Sequence, residues 1–159
     1  MTQNLQRLIS DLELIEHPEG GYYRETYRSV ASVLTNGGSQ RSALTNIYFL
    51  LTSDTFSAWH RIDADETWHF YQGTGIVISI IDRDGNLEDR RLGPDGPWQT
   101  TVPAGYFFAA HVPGPTGYAL AGCSVAPGFE FSGFELPSRE TLTARYPQHS
   151  AAIARFTRT

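Results

Sequence analysis

The chain reads as an all-β domain, a closed β-sandwich or jelly-roll barrel with a short helix at each end. Three observations carry this. About nine short runs of β-forming residues follow one another at close spacing, each bounded by turn residues. Aromatic residues make up 13% of the chain, and 15 glycines and 9 prolines supply the turns. Helical periodicity shows only near the two ends. With 159 residues the chain has the size of one domain. We expect one domain over 1–159, with a helix within 1–16, a barrel over 20–136 and a helical segment over 138–157.

Leu5, Leu8, Ile9 and Leu12 recur at helical spacing, so residues 3–13 predict an amphipathic helix. Pro18, Gly20 and Gly21 stop it. Residues 22–27 are β-formers with charges on one face, followed by a polar loop at 35–40. Strands are predicted over 43–52, 56–61, 66–72 and 75–82. Asp84 and Gly85 suit a hairpin turn into a return strand at 87–92. Strands at 98–102, 106–111 and 118–125 follow, and a last one starts at Pro127 and runs to about 136. Ser138 after Pro137 caps a helix through about Tyr146, and Ile153 and Phe156 are the apolar anchors of a final helical turn.

Composition narrows the function. The net charge is −5 and the isoelectric point about 5.4, which argues against nucleic acid or an anionic membrane as partner. All 12 basic residues are arginine, so chemistry that needs a Schiff-base lysine or a phosphate-loop lysine is excluded. The single cysteine, Cys123, cannot form a disulfide within the chain, and it reads as an inert core thiol. No apolar run reaches about 18 residues, and no basic-then-apolar leader opens the chain. The expectation is a cytoplasmic protein.

The chemistry concentrates between Phe56 and Gly73. Residues two apart share a strand face, so His60 goes with Ile62, and Glu66 goes with Trp68 and Phe70. If His60 and Glu66 both face inward, they meet across the strand pair as a hydrogen-bonded acid–base couple. His69 and Tyr71 take the opposite face. Tyr22, Tyr23, Tyr48, Tyr71 and Tyr106 are candidate acids. Arg24, Glu25 and Arg41 are candidates to reach over the pocket mouth, where arginine would suit a carboxylate or phosphate. Tyr48, Trp68, His69, Phe70, Tyr106, Phe108 and His111 complete the expected ligand contacts. His17 and His149 read as surface or capping residues.

This stretch resembles the first motif of the cupin superfamily: His60, then Ile62 where a second His stands, Glu66 and Gly73. The family's leading Gly falls on Asp54. Pro103 and Gly105 resemble the second motif, but its His position holds Phe108. The segments 17–26, 46–51, 66–73 and 126–131 together are similar to a subgroup of small, RmlC-like cupins of unassigned function. The resemblance implies a double-stranded β-helix (jelly roll), a homodimer, and a pocket for a small polar metabolite. A cupin metal site uses three His and one Glu, and two of those four positions are apolar here. No metal is therefore favoured. The alternative is a divalent ion (Fe, Mn, Zn or Ni) on His60 and Glu66 with His69 or His111, as in a metal-dependent oxygenase or decarboxylase. RmlC is a metal-free cupin epimerase of a nucleotide-linked keto sugar. The resemblance therefore implies epimerase- or isomerase-like chemistry on a sugar-like or keto-acid-like metabolite, with His60 as base, Glu66 as its partner and a Tyr as acid. A non-catalytic ligand-binding or sensor protein is the third reading.

Overall fold

The computed structural model describes residues 3–158; residues 1 and 2 of the expected helix and the final residue lie outside that range. The chain runs through α1 (Gln3–Asp11), β1 (Ile15–Glu16), β2 (Tyr22–Arg28), β3 (Ser32–Leu34), β4 (Gln40–Ser42), β5 (Thr45–Thr52), β6 (Phe56–Ile62) and β7 (Asp65–Gly73). It continues through β8 (Ile76–Ile81), β9 (Leu87–Leu92), β10 (Gln99–Val102), β11 (Phe107–His111), β12 (Tyr118–Ala126), β13 (Phe134–Glu135), α2 (Arg139–Arg145) and α3 (Ser150–Arg155).

Two antiparallel sheets face each other as a jelly roll. One has the order β1-β2-β5-β12-β7-β10, the other β13-β6-β11-β8-β9, and β3-β4 is a separate hairpin. Strand alternation sorts the side chains into layers. Phe49, Leu51, Trp68, Ile78, Ile80, Phe108 and Cys123 fill the space between the sheets. Leu50, Leu120 and Tyr48 turn the other way and receive the apolar stripe of α1. Trp59, Ile81, Phe107 and Ala109 likewise turn outward, against Leu142, Ile153 and Phe156 of the C-terminal helices. Each fully buried side chain of this kind stabilises the fold by about 1.5–3 kcal/mol. Ser138 caps α2 as expected, accepting from the backbone N–H of Thr141.

Three expectations change. The first helix stops at Asp11 because Leu14 N–H closes back on the Ile9 carbonyl and Glu13 takes a φ of +52°, freeing Ile15 and Glu16 to pair with β2. The last strand is confined to Phe134–Glu135. Residues before it are taken up by other contacts, with Phe129 N–H donating to Thr45 Oγ1 and a short 3-10 turn over Phe131–Gly133. The largest change concerns β6 and β7. They do not pair with each other. β6 pairs with β11 and β13, β7 pairs with β12 and β10, and Asp63 and Ala64 carry the chain from one sheet to the other. His60 and Glu66 thus project from opposite sheets toward one interior.

Candidate functional site

One end of the space between the sheets opens into a cavity of about 310 Å³. Its walls are aromatic and aliphatic: Tyr23, Phe49, Ile62, Trp68, Val125, and Phe129, Phe131 and Phe134 from the segment after β12. Its polar groups divide by depth. Glu19, His60, Glu66 and Cys123 are buried, while Glu13, Glu25, Arg28 and Glu130 stand exposed at the rim.

The buried groups form a defined network. His60 Nδ1 donates to the Ala58 carbonyl at 2.7 Å, and its Nε2 meets Glu19 Oε2 at 3.1 Å. Glu19 Oε1 accepts from the Ser57 hydroxyl at 2.8 Å. Since Nδ1 already carries the proton given to Ala58, the contact between Nε2 and Glu19 needs one further proton. Burial pushes Glu19 up, against the opposing effects of His17 and Ser57, and pushes His60 down, against those of Glu66 and the Ala58 carbonyl. Both directions favour the neutral forms of the two groups over an ion pair. His17 Nδ1 accepts the backbone N–H of Glu19 at 3.2 Å, which leaves the ring proton on Nε2. Burial first, opposed by Glu19 and helped by His60, pushes His17 down as well.

Glu66 stands on the opposite sheet. Burial raises it to about 7; nearby Glu19 adds to the rise, while His60 and the Cys123 thiol oppose it. Cys123, beside it on β12, is pushed well above the ordinary thiol range by burial and by Glu66. It stays a thiol beside the carboxyl rather than serving as a nucleophile. Cys123 therefore lines the cavity instead of being mere core.

The His17–Gly21 loop that supplies His17 and Glu19 is bound to β6. Glu19 O accepts from Ala58 N–H at 2.8 Å, and Gly20 N–H closes on His17 O at 2.9 Å. Gly20 has a φ of +114°, and a Cβ there would lie 2.1 Å from the Phe56 carbonyl oxygen. Only glycine lets the loop come this close. Sequence reasoning placed His17 on the surface and did not single out Glu19. The available signal was a His and a Glu two apart, followed by paired glycines that force a turn.

Other expected contacts fall elsewhere. Glu25, Trp68 and Arg24 do line the cavity, Arg24 at the rim with its guanidinium on Glu13 at 2.6 Å. Of the candidate tyrosines only Tyr23 lines it; Tyr22 and Tyr48 lie on the outer face, where Tyr48 meets Tyr71 edge to face. Arg41 is bound outside, to Asp63 at 2.8 Å and to the Gly128 carbonyl. His69 keeps the outward direction of strand alternation. Gln99 donates to its Nδ1 at 3.0 Å and its Nε2 meets Ser124 Oγ at 3.1 Å. The one register shift along this edge lies beyond it, after Phe70. His111 is outside the barrel, stacked on Phe156 at 4.7 Å between ring centroids. Phe70 and Tyr106 pack on the core, and Phe108 backs the site, 4.1 Å from the His60 ring. His60 and Glu66 share the cavity, but His60 Nε2 is engaged by Glu19, not by Glu66.

Residues 6–137 match a protein family described as Cupin superfamily (DUF985). The chain belongs to the cupin superfamily. It is 33% identical to the uncharacterized protein YML079W of Saccharomyces cerevisiae, over 80% of this chain and 72% of that one. Among solved structures, this cupin is similar to protein SO0799 from Shewanella oneidensis, with a TM-score of 0.88, 40% identity and 99% of each chain covered. A hypothetical protein from Leishmania major gives a TM-score of 0.87 and 35% identity, over 97% of this chain and 98% of the other.

A metal of the cupin type does not fit these side chains. Ile62 and Phe108 fill two of the four expected ligand positions. His69 and His111, the proposed replacements, point away from His60 and Glu66. Among the described residues no three His, Cys, Asp or Glu side chains come together as a site that could hold an ion.

Proposed function

We propose that this cupin binds a compact, carbonyl-bearing metabolite in its cavity and moves a proton on it with its own side chains, as an epimerase or isomerase does. One observation supports this above all. Glu66 is more than nine-tenths buried on the cavity wall, with a pKa near 7, opposite a Glu19–His60 pair that holds one proton. A carboxyl group that gains and loses a proton near neutral pH suits general acid–base catalysis. Glu66 is the group that would take the proton adjacent to the carbonyl. The Glu19–His60 pair stands as a neighbouring proton store, and Tyr23 is the tyrosine placed to act as acid. This moves the central role from His60, whose two ring nitrogens are both occupied, to Glu66.

The test is solvent exchange. The protein is incubated in D₂O with a panel of ketoses and keto sugars, and deuterium uptake next to the carbonyl is followed by NMR. Exchange that depends on the protein and is lost in Glu66→Gln supports the reading. A ligand that saturates the cavity without exchange would make the protein a binding module instead.

A further inference from the structure

We infer that the cavity selects a ligand bearing a positive charge, a compact organic ammonium whose head group is held between Glu66 and the aromatic walls. This rests on the cavity being a ligand site, as proposed above, but it does not require that proton transfer occurs there.

The first argument is the charge balance at the rim. Two arginines reach the cavity, and both are ion-paired at the rim, although Arg24 Nε is buried without a hydrogen-bond partner. Arg24 pairs with Glu13 at 2.6 Å, and Arg28 pairs with Glu25 at 2.8 Å and Glu130 at 3.1 Å. Three carboxylates thus meet two guanidinium groups, so among the described residues the rim carries a net negative charge. A cation adds to the prevailing field of these carboxylates.

The second argument lies deeper. Among the described residues Glu66 has no ion-pair partner, and the Cys123 thiol on β12 opposes its rise only in part. The groups facing it are His60 from β6, Glu19 from the loop before β2 and Cys123 from β12. None is a permanent cation, since burial disfavours the charged form of His60. A buried carboxyl without a cation favours its neutral form, and a bound ammonium would supply the missing partner.

The third argument is the wall. Six aromatic rings, Tyr23, Phe49, Trp68, Phe129, Phe131 and Phe134, line the same cavity. An aromatic face attracts a cation, more strongly where water is excluded. Aromatic faces combined with a buried carboxyl suit an ammonium better than a neutral ring of equal shape.

Three probes of one shape and different charge test this: benzylamine, benzyl alcohol and benzoate. Dissociation constants are measured by calorimetry at pH 8, where Glu66 is mostly ionised. Benzylamine should bind at least about tenfold more tightly than either other probe. Its affinity should weaken several-fold between pH 8 and pH 6 as Glu66 takes up its proton. In Glu66→Gln the preference should fall toward parity, with benzyl alcohol binding retained. If that variant does not fold, the pH dependence of the native chain decides alone. Tighter binding of benzyl alcohol or benzoate would overturn the charge assignment and leave the ligand cavity standing. Failure of all three to bind would overturn both.

Discussion

At the residue scale, the decisive fact is where one proton sits. His60 donates through Nδ1 to Ala58, and its Nε2 shares one proton with Glu19 Oε2 at 3.1 Å, burial favouring the neutral pair. This makes Glu19→Gln an informative change. A glutamine amide can donate to Nε2 and accept from Ser57 just as the protonated carboxyl does. The variant should unfold within about 1 kcal/mol of the native protein in urea, whereas an ionic pair would cost far more to break. His60→Ala removes the acceptor and the ring packed on Phe108, and should cost about 3–5 kcal/mol in the same measurement. Glu66 sets a pH dependence of the fold. Its carboxyl moves from 4.5 to about 7 on folding. Between those values the folded chain keeps a proton that the unfolded chain has released. The stability it contributes is complete below pH 4.5 and is lost as pH rises to about 7, roughly 3 kcal/mol in all. Urea midpoints taken across that range should fall with rising pH, and the fall should be shallower in Glu66→Gln.

At the element scale, the loop before β2 decides whether the site exists. Gly20 cannot carry a side chain without pushing the loop off the Phe56 carbonyl. Gly20→Ala should therefore cost roughly 2 kcal/mol or more and displace His17 and Glu19 together. Calorimetric binding would be lost along with the thermal midpoint, while the far-ultraviolet signature of the sheets survives. The strands themselves were legible in the sequence because alternation and turn residues are local properties. The facing directions of His60, Ile62, Trp68 and His69 followed from the same alternation. What local pattern could not show was the partner of each strand. β6 and β7 alternate correctly whether they pair with each other or lie in opposite sheets. The His60–Glu66 couple was therefore read as a neighbour contact across one sheet, when the two groups face each other across the interior. His17 and Glu19 were missed for a related reason. Their position depends on a loop docking against β6 about forty residues later in the chain, a contact that no periodicity records.

At the scale of the whole molecule, the cupin fold was readable from motif order, yet the motif alone would have suggested a metal. Ile62 and Phe108 stand in two of the ligand positions, and the two candidate replacements, His69 and His111, face away from the cavity. Dialysis against a strong chelator should leave the melting temperature unchanged, because the barrel is held by its two packed faces and its helices. A chelator-sensitive fold would contradict the ligand geometry described for this cavity. The apolar residues on the outer faces of both sheets are spent on α1, α2 and α3, so the polar chemistry of the chain collects at the one open end.

The arrangement of the two sheets has a mechanical consequence. Ser57 and His60 belong to β6, and Glu19 is tied to it through Ala58, so these three groups move as one jaw. Glu66 and Cys123 sit on the adjacent strands β7 and β12 and form the other. The gap between the jaws is the thickness of the barrel interior, and it sets how strongly the two carboxyl groups feel each other. Because Glu19 pushes Glu66 up across that gap, the separation of the two sheets is itself one determinant of where Glu66 holds its proton.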